Sequence, residues 1–190
     1  MESIPMSSNL DKFLAYEPKR HALESVMRLQ AVKRWHMIDT TRAQTLAEHS
    51  ANVAMLVLLI SKTAPIDFFS GNAVIAALVH DLPEAFTGDI PSHTKKYLDG
   101  IHELERTTMN KVFDIDMNDH DRLLIKLCDL ADGIRFIRLH GVDMTADHAR
   151  DGLEAQMQVK FDKDIVALEW PEHLVSHVKD HLVFYAYECV

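Results

Sequence analysis

Eight uncharged, mostly apolar residues, Asn72 to Val79, run directly into His80 and Asp81, and by Asp89 the chain has added Glu84 and a third carboxylate. No other feature restricts the fold as much. Asn72 to Val79 contains no helix breaker and reads as a buried helix, which puts His80 and Asp81 at its inner end. A carboxylate there is strongly disfavoured unless it is compensated. The rest of the chain must supply that compensation, and a bound metal ion is its simplest form.

The flanking sequence is helical in period. Ala22, Leu23, Val26, Leu29 and Ala31 or Val32 recur at three and four between Pro18 and Arg34, which predicts a first amphipathic helix delivering Arg34-Trp35-His36 at its end. Thr40-Thr41 offers a cap for a second helix carrying His49, Val53, Val57 and Ile60 until Ala64-Pro65 stops it. A third helix opens at Ser70-Gly71-Asn72 and is expected to end at Pro83, followed by a turn over Gly88-Asp89-Ile90-Pro91. Gly100 to Phe113 predicts a charged surface helix. From Asn118 onward Leu124, Leu127, Leu130, Ala131 and Ile134 mark a strongly apolar face, with Asp129 and Asp132 one turn apart near it. Helical stretches over roughly 145–167 and 171–187 follow, and no segment alternates as a strand. The expected fold is all-α, a bundle of six or seven helices with residues 1–190 as one domain, which fits a 190-residue chain that is 47% hydrophobic.

Charge and composition exclude several classes. A net charge of -9 argues against a nucleic-acid polymer or an acidic membrane surface as partner. The longest purely apolar run, Val53 to Ile60, is too short to span a bilayer, and the start lacks the pattern of a signal peptide. Cys128 and Cys189 imply no disulfide framework, and reduced thiols in a cytoplasmic setting are expected.

His49, His80, Asp81 and Asp129 come from three of the expected helices, and helical bundles build metal sites from inward-facing side chains in this way. Imidazole and carboxylate donors without thiolates suit a divalent transition ion, Zn, Mn, Co, Ni or Fe, and four protein ligands leave room for water and substrate. Asp132 competes with Asp129 as a ligand from its position alone.

Ala47-Glu48-His49-Ser50, His80-Asp81-x-x-Glu84-x-x-Thr87-Gly88-Asp89-x-Pro91 and the later Asp129, preceded by Arg34-Trp35, together resemble the HD-domain metal-dependent phosphohydrolases, in their 5′-deoxynucleotidase branch. Arg34-Trp35-His36 and Gln44 to His49 are similar to phage-encoded members, including dATP triphosphohydrolases. The resemblance covers roughly 27–138. It implies His49, His80, Asp81 and Asp129 as metal ligands, Asp132 as an outer partner, and Glu84 as the carboxylate that positions or activates water. It also implies Asp89, Arg34 and Trp35 as substrate-binding residues, and Lys95 and Lys96 are candidates to meet phosphate. Met37 and Ile38 fit either a base pocket or the core.

The implied activity is hydrolysis of the 5′ phosphoester of a small 2′-deoxynucleotide, leaning to dATP giving deoxyadenosine and triphosphate. Lys33, Arg34, Arg42, Lys95 and Lys96 are offered as the cations for the phosphate chain. A monophosphate substrate is the runner-up, and a non-catalytic nucleotide sensor is the alternative from another class. A homo-oligomer is expected by the same resemblance.

Overall fold

The computed structural model describes residues 24, 26–113 and 115–188. Much of the expected first helix, together with Cys189, lies outside them. Residues 26–28 are helical, but the chain turns over 29–31 and is extended at Lys33 and Arg34. There Lys33–Arg34 (β1) pairs antiparallel with Gln44–Thr45 (β2), Lys33 opposite Thr45 and Arg34 opposite Gln44. This corrects both the first helix's end and the expectation of no strand. A two-residue ladder is too short to leave an alternating pattern, and it is set by long-range pairing.

The second helix, α1 (Leu46–Thr63), begins later than Thr40-Thr41 implied. Thr45 caps it, accepting from the Glu48 amide at 3.0 Å. Residues 35–43 instead form a loop tied to the far end of the longest helix: Thr41 N donates to His140 O and Val142 N to Asp39 O.

Next come α2 (Asn72–Val79), α3 (Glu84–Thr87), α4 (Ser92–Lys95) and α5 (Ile101–Val112). The apolar helix stops at Val79, before Pro83, and His80 and Asp81 lie in the tight turn between α2 and α3. Ala73, Ala76 and Ala77 are buried on α2, and their small side chains let it pack closely on α1.

The long α6 (Asp119–His140) is capped by Asn118 and carries Leu124, Leu127, Leu130 and Ile134 fully into the core, as its period implied. Val53, Val57 and Ile60 of α1 meet it there. Gly141 allows the sharp exit from α6, because a Cβ at that position would sit 2.6 Å from Ala146 Cβ. Asp143 then caps α7 (Met144–Val159), which continues through a π-helical turn, Lys160–Asp164, into α8 (Ile165–Ala167). Finally α9 (Glu172–Val183) closes the core with Leu174, Val178 and Leu182 and runs into a second π-helical turn, Phe184–Glu188. Apart from the short ladder, the described chain is a helical bundle, as expected. Among the described residues no helix is long and apolar enough to cross a membrane.

Leu127 lies at the centre of this packing with none of its surface exposed. Leu127→Ala is expected to destabilise the fold by about 2–5 kcal/mol, from lost burial and the cavity left behind. Urea denaturation with an unchanged slope measures it, and a loss under ~1 kcal/mol would contradict this placement.

Candidate metal centre

Three elements carry the expected donors. α1 carries His49, the turn after α2 carries His80 and Asp81, and α6 carries Asp129. One ligand atom each from His49, His80 and Asp81 lies within 4.8 Å of the others. His49 Nε2 is also 3.2 Å from Asp129 Oδ1 and 3.5 Å from Asp81 Oδ2, and His80 Nε2 is 3.4 Å from Asp81 Oδ1.

Both imidazoles are fixed through Nδ1. His49 Nδ1 donates to Asp132 Oδ2 at 2.7 Å, and His80 Nδ1 donates to Ala77 O at 2.7 Å. Each ring therefore turns its Nε2 toward the carboxylates, and both Nε2 atoms are buried without a hydrogen-bond partner. An outer hydrogen bond that fixes the ring and aims its second nitrogen is the usual support of a metal-binding histidine.

The electrostatics agree. Burial tends to raise the Asp81 carboxyl, but His80, Arg34 and His49 outweigh it and hold it below the usual range. At Asp129 burial is likewise overcome, by Lys126, His49 and Arg34, and the carboxyl is held well below that range. For His49, burial and Arg34 push down while the Asp129, Asp132 and Asp81 carboxylates push up, and the net direction is up. The centre thus favours positive charge at the point where the donors converge. Its donor set and its two unpartnered nitrogens fit a divalent transition ion.

Asp132 sits behind the donors as a hub. It accepts from His49, Gln44 Nε2 at 2.7 Å, Asn52 Nδ2 at 3.0 Å and Tyr185 OH at 2.7 Å. Gln44 Oε1 in turn accepts from Trp35 Nε1 at 2.8 Å, so one chain of hydrogen bonds links His49 to Trp35. Burial opposes the Asp132 charge, but the His49 hydrogen bond prevails and its carboxyl lies below the ordinary 3.8. A depressed folded-state value favours the native state above 3.8, and that contribution disappears as pH falls through the folded value. In chelator, the stability gap between the wild type and Asp132→Asn is expected to be full near neutral pH and to narrow in acid. Metal affinity of the variant should fall about 10–100-fold. A stability gap independent of pH in urea titrations would contradict this role.

A cavity of about 620 Å³ opens over the centre. Arg34, Trp35, Glu84, Asp89 and Lys95 all line it, together with Asp81 and Asp129. Lys96 does not; it is exposed and outside the lining. Arg42 is held by Glu48 at 2.6 Å, and Lys33 is exposed, so neither belongs to this cavity. Their place is taken by Lys126, which lines the cavity and contacts Asp129 Oδ2 at 2.6 Å. Its position three residues before Asp129 was the available signal.

Arg34 Nη1 donates to Asp81 Oδ2 at 3.2 Å, its second amine nitrogen lies 3.7 Å from Asp129 Oδ1, and its guanidinium stands 5.3 Å from the Trp35 ring centre. Trp35 has a φ of 63°, a left-handed conformation costing an L-residue about 1–3 kcal/mol, and β1 and the Gln44 hydrogen bond hold it there. Lys95 Nζ sits between Glu84 Oε1 at 2.7 Å and Glu105 Oε1 at 2.8 Å, a partner on α5 that local periodicity does not announce. Burial and the Asp81 charge push the Glu84 carboxyl up to about 8, against the pull of Lys95. Asp89 faces His36 at 3.6 Å, and Met37 and Ile38 both line the cavity, with Ile38 also packed against Phe136.

Residues 26–163 match the family described as HD domain. The chain belongs to the HD-domain family. The HD-domain protein is 33% identical over 139 residues to a dATP triphosphohydrolase of Salmonella phage PMBT28, covering 67% of this chain and 72% of that one. It is 30% identical over 162 residues to a dATP triphosphohydrolase of cyanophage S-2L, covering 80% and 91%. A solved structure of the cyanophage S-2L HD phosphohydrolase (DatZ), bound to dA and one catalytic Zn2+ ion, superposes with a TM-score of 0.73. That likeness covers 87% of this chain and 96% of the other at 23% identity, and at that level it establishes the fold. The resemblance to phage phosphohydrolases read from Arg34-Trp35 and His49 is thereby borne out, as is the helical bundle.

Proposed function

We propose that this protein is a metal-dependent phosphohydrolase that cleaves the 5′ phosphoester of a 2′-deoxynucleotide, with dATP going to deoxyadenosine and triphosphate. The observation that carries this reading is the pair of buried Nε2 atoms, neither with a hydrogen-bond partner, that converge with Asp81 beneath a cavity lined also by Asp129 and Glu84. The related phage proteins named dATP triphosphohydrolases support the substrate.

His49, His80, Asp81 and Asp129 would hold the ion. Bound there, a divalent metal supplies Lewis acidity toward a phosphoryl oxygen and lowers the pKa of water. Glu84, when ionised, accepts the proton of the water that attacks the α-phosphorus, and a proton returns to O5′ as the P–O5′ bond breaks. Arg34, Lys95 and Lys126 offset charge on the phosphate chain, with Arg34 capable of a bidentate contact.

One domain, a cytoplasmic setting with host cytoplasm for a phage-encoded chain, and a homo-oligomer complete the proposal. The buried free Cys128 supports a reducing compartment, and the exposed Met55, Leu59, Ile75 and Leu78 support a subunit contact. The test is chromatography of products from dAMP, dADP, dATP and ATP with Mn, Co or Zn. Deoxyadenosine and triphosphate from dATP are expected. Turnover of dAMP alone would make the protein a 5′-deoxynucleotidase, and tight binding without product would make it a sensor.

A further inference from the structure

The cavity is lined by two chemically different sets of groups. Its charged groups include the candidate metal donors, whereas the residues it takes from α7, Thr145, His148, Ala149, Gly152, Leu153 and Gln156, include no acidic group. These residues recur at three and four, so they form one stripe along the helix.

At the middle of that stripe the helix gives up volume. A Cβ added at Gly152 meets nothing within 4 Å, and Ala149 stands three residues before it. Glycine within a helix weakens it relative to alanine, and no neighbouring atom at Gly152 requires one. Gly152 is itself exposed and lines the cavity, so the space beside it is open.

Beside it, Leu153 and Trp35 meet over Gly133, where a Cβ would lie 3.1 Å from Leu153 Cδ1 and 3.4 Å from Trp35 Cζ2. The indole therefore stands beside Leu153, and it too lines the cavity. At the other end of the stripe Gln156 Nε2 donates to Gly152 O at 3.2 Å, and its amide still offers an acceptor oxygen and a second N–H.

We propose that this stripe of α7 is the base-recognition wall of the site. Gly152 and Ala149 leave a slot for a two-ring base, Trp35 covers one side of it, and Gln156 pairs with the base edge by the donor and acceptor geometry that glutamine offers adenine. The proposal rests on the reading of the substrate as a deoxynucleotide, and it assigns purine preference to α7 and not to the metal end.

The test compares wild type, Gly152→Leu and Gln156→Leu. Binding of 2′-deoxyadenosine, 2′-deoxycytidine and 2-deoxyribose 5-phosphate to the metal-loaded protein is measured by calorimetry, alongside KM and kcat for dATP and dCTP. Gly152→Leu is expected to weaken deoxyadenosine at least about tenfold, deoxycytidine less, and deoxyribose 5-phosphate least, with the dATP effect in KM. Gln156→Leu should lower the preference for adenine over cytosine without closing the slot, and it serves where a leucine at 152 harms folding. Equal losses for all three ligands, or undiminished deoxyadenosine binding in both variants, would overturn the proposal. Base-dependent changes in a protein that hydrolyses no deoxynucleotide would sink the proposed reaction and leave the base wall standing. Full dATP turnover with base-independent variants would do the reverse.

Discussion

Asp81→Asn is expected to remove metal binding and turnover together, with kcat/KM falling by roughly 10³-fold or more. Asp81 joins both imidazoles and the neighbouring guanidinium: its carboxylate lies 3.4 Å from His80 Nε2, 3.5 Å from His49 Nε2 and 3.2 Å from Arg34 Nη1. Asparagine keeps the shape and deletes the charge. The donor atoms then lose the negative potential that attracts a cation, and Arg34 loses its nearest partner. The same substitution relieves repulsion between Asp81 and Asp129, which is among the influences raising the Asp81 carboxyl. His80, Arg34 and His49 outweigh that repulsion, so the metal-free variant is expected to melt below the metal-free wild type at neutral pH. Metal analysis by mass spectrometry, melting in chelator and turnover measure the three parts, and a variant that still held one equivalent of metal tightly would sink the assignment of Asp81.

Glu84→Gln is expected to separate chemistry from metal binding. The variant should keep its metal while kcat falls by about 10²–10⁴-fold, the range for loss of a positioned general base. Burial and the Asp81 charge push the Glu84 carboxyl up to about 8 in the metal-free site. A base works only when ionised, so the wild-type rate should rise with pH through the Glu84 value and level off above it. Positive charge bound beside Asp81 lowers that value, so the rise belongs below 8 in the loaded enzyme. Glu84→Gln should lose this limb. A variant with the same limb and only a higher KM would place Glu84 in substrate binding instead.

Helix periodicity made most of the bundle legible. The apolar face of α6 needed only local spacing, since Leu124, Leu127, Ala131 and Ile134 repeat at three and four. The candidate metal cluster was legible for a different reason: charge directly after an apolar helix demands compensation, and His80-Asp81 supplied the place to look. What stayed hidden depends on pairs distant in sequence. The contacts of Gln44 with Asp132 and Tyr185 with Asp132 span 88 and 53 residues, and nothing local records them. The β1–β2 ladder and the left-handed Trp35 follow from that long-range frame. Lys95 and Lys96 show the limit most plainly. They are adjacent and chemically alike, yet helical geometry turns one into the cavity beside Glu84 and leaves the other exposed.

The central claim is that water attacks the α-phosphorus of a deoxynucleotide at this centre. Turnover of dATP by the metal-loaded protein in ¹⁸O-enriched water, with mass analysis of both products, tests it most directly. The label is expected in triphosphate, none in deoxyadenosine, with no products after the metal is stripped. Labelled orthophosphate with dADP, or label in the deoxyadenosine 5′ oxygen, would contradict it.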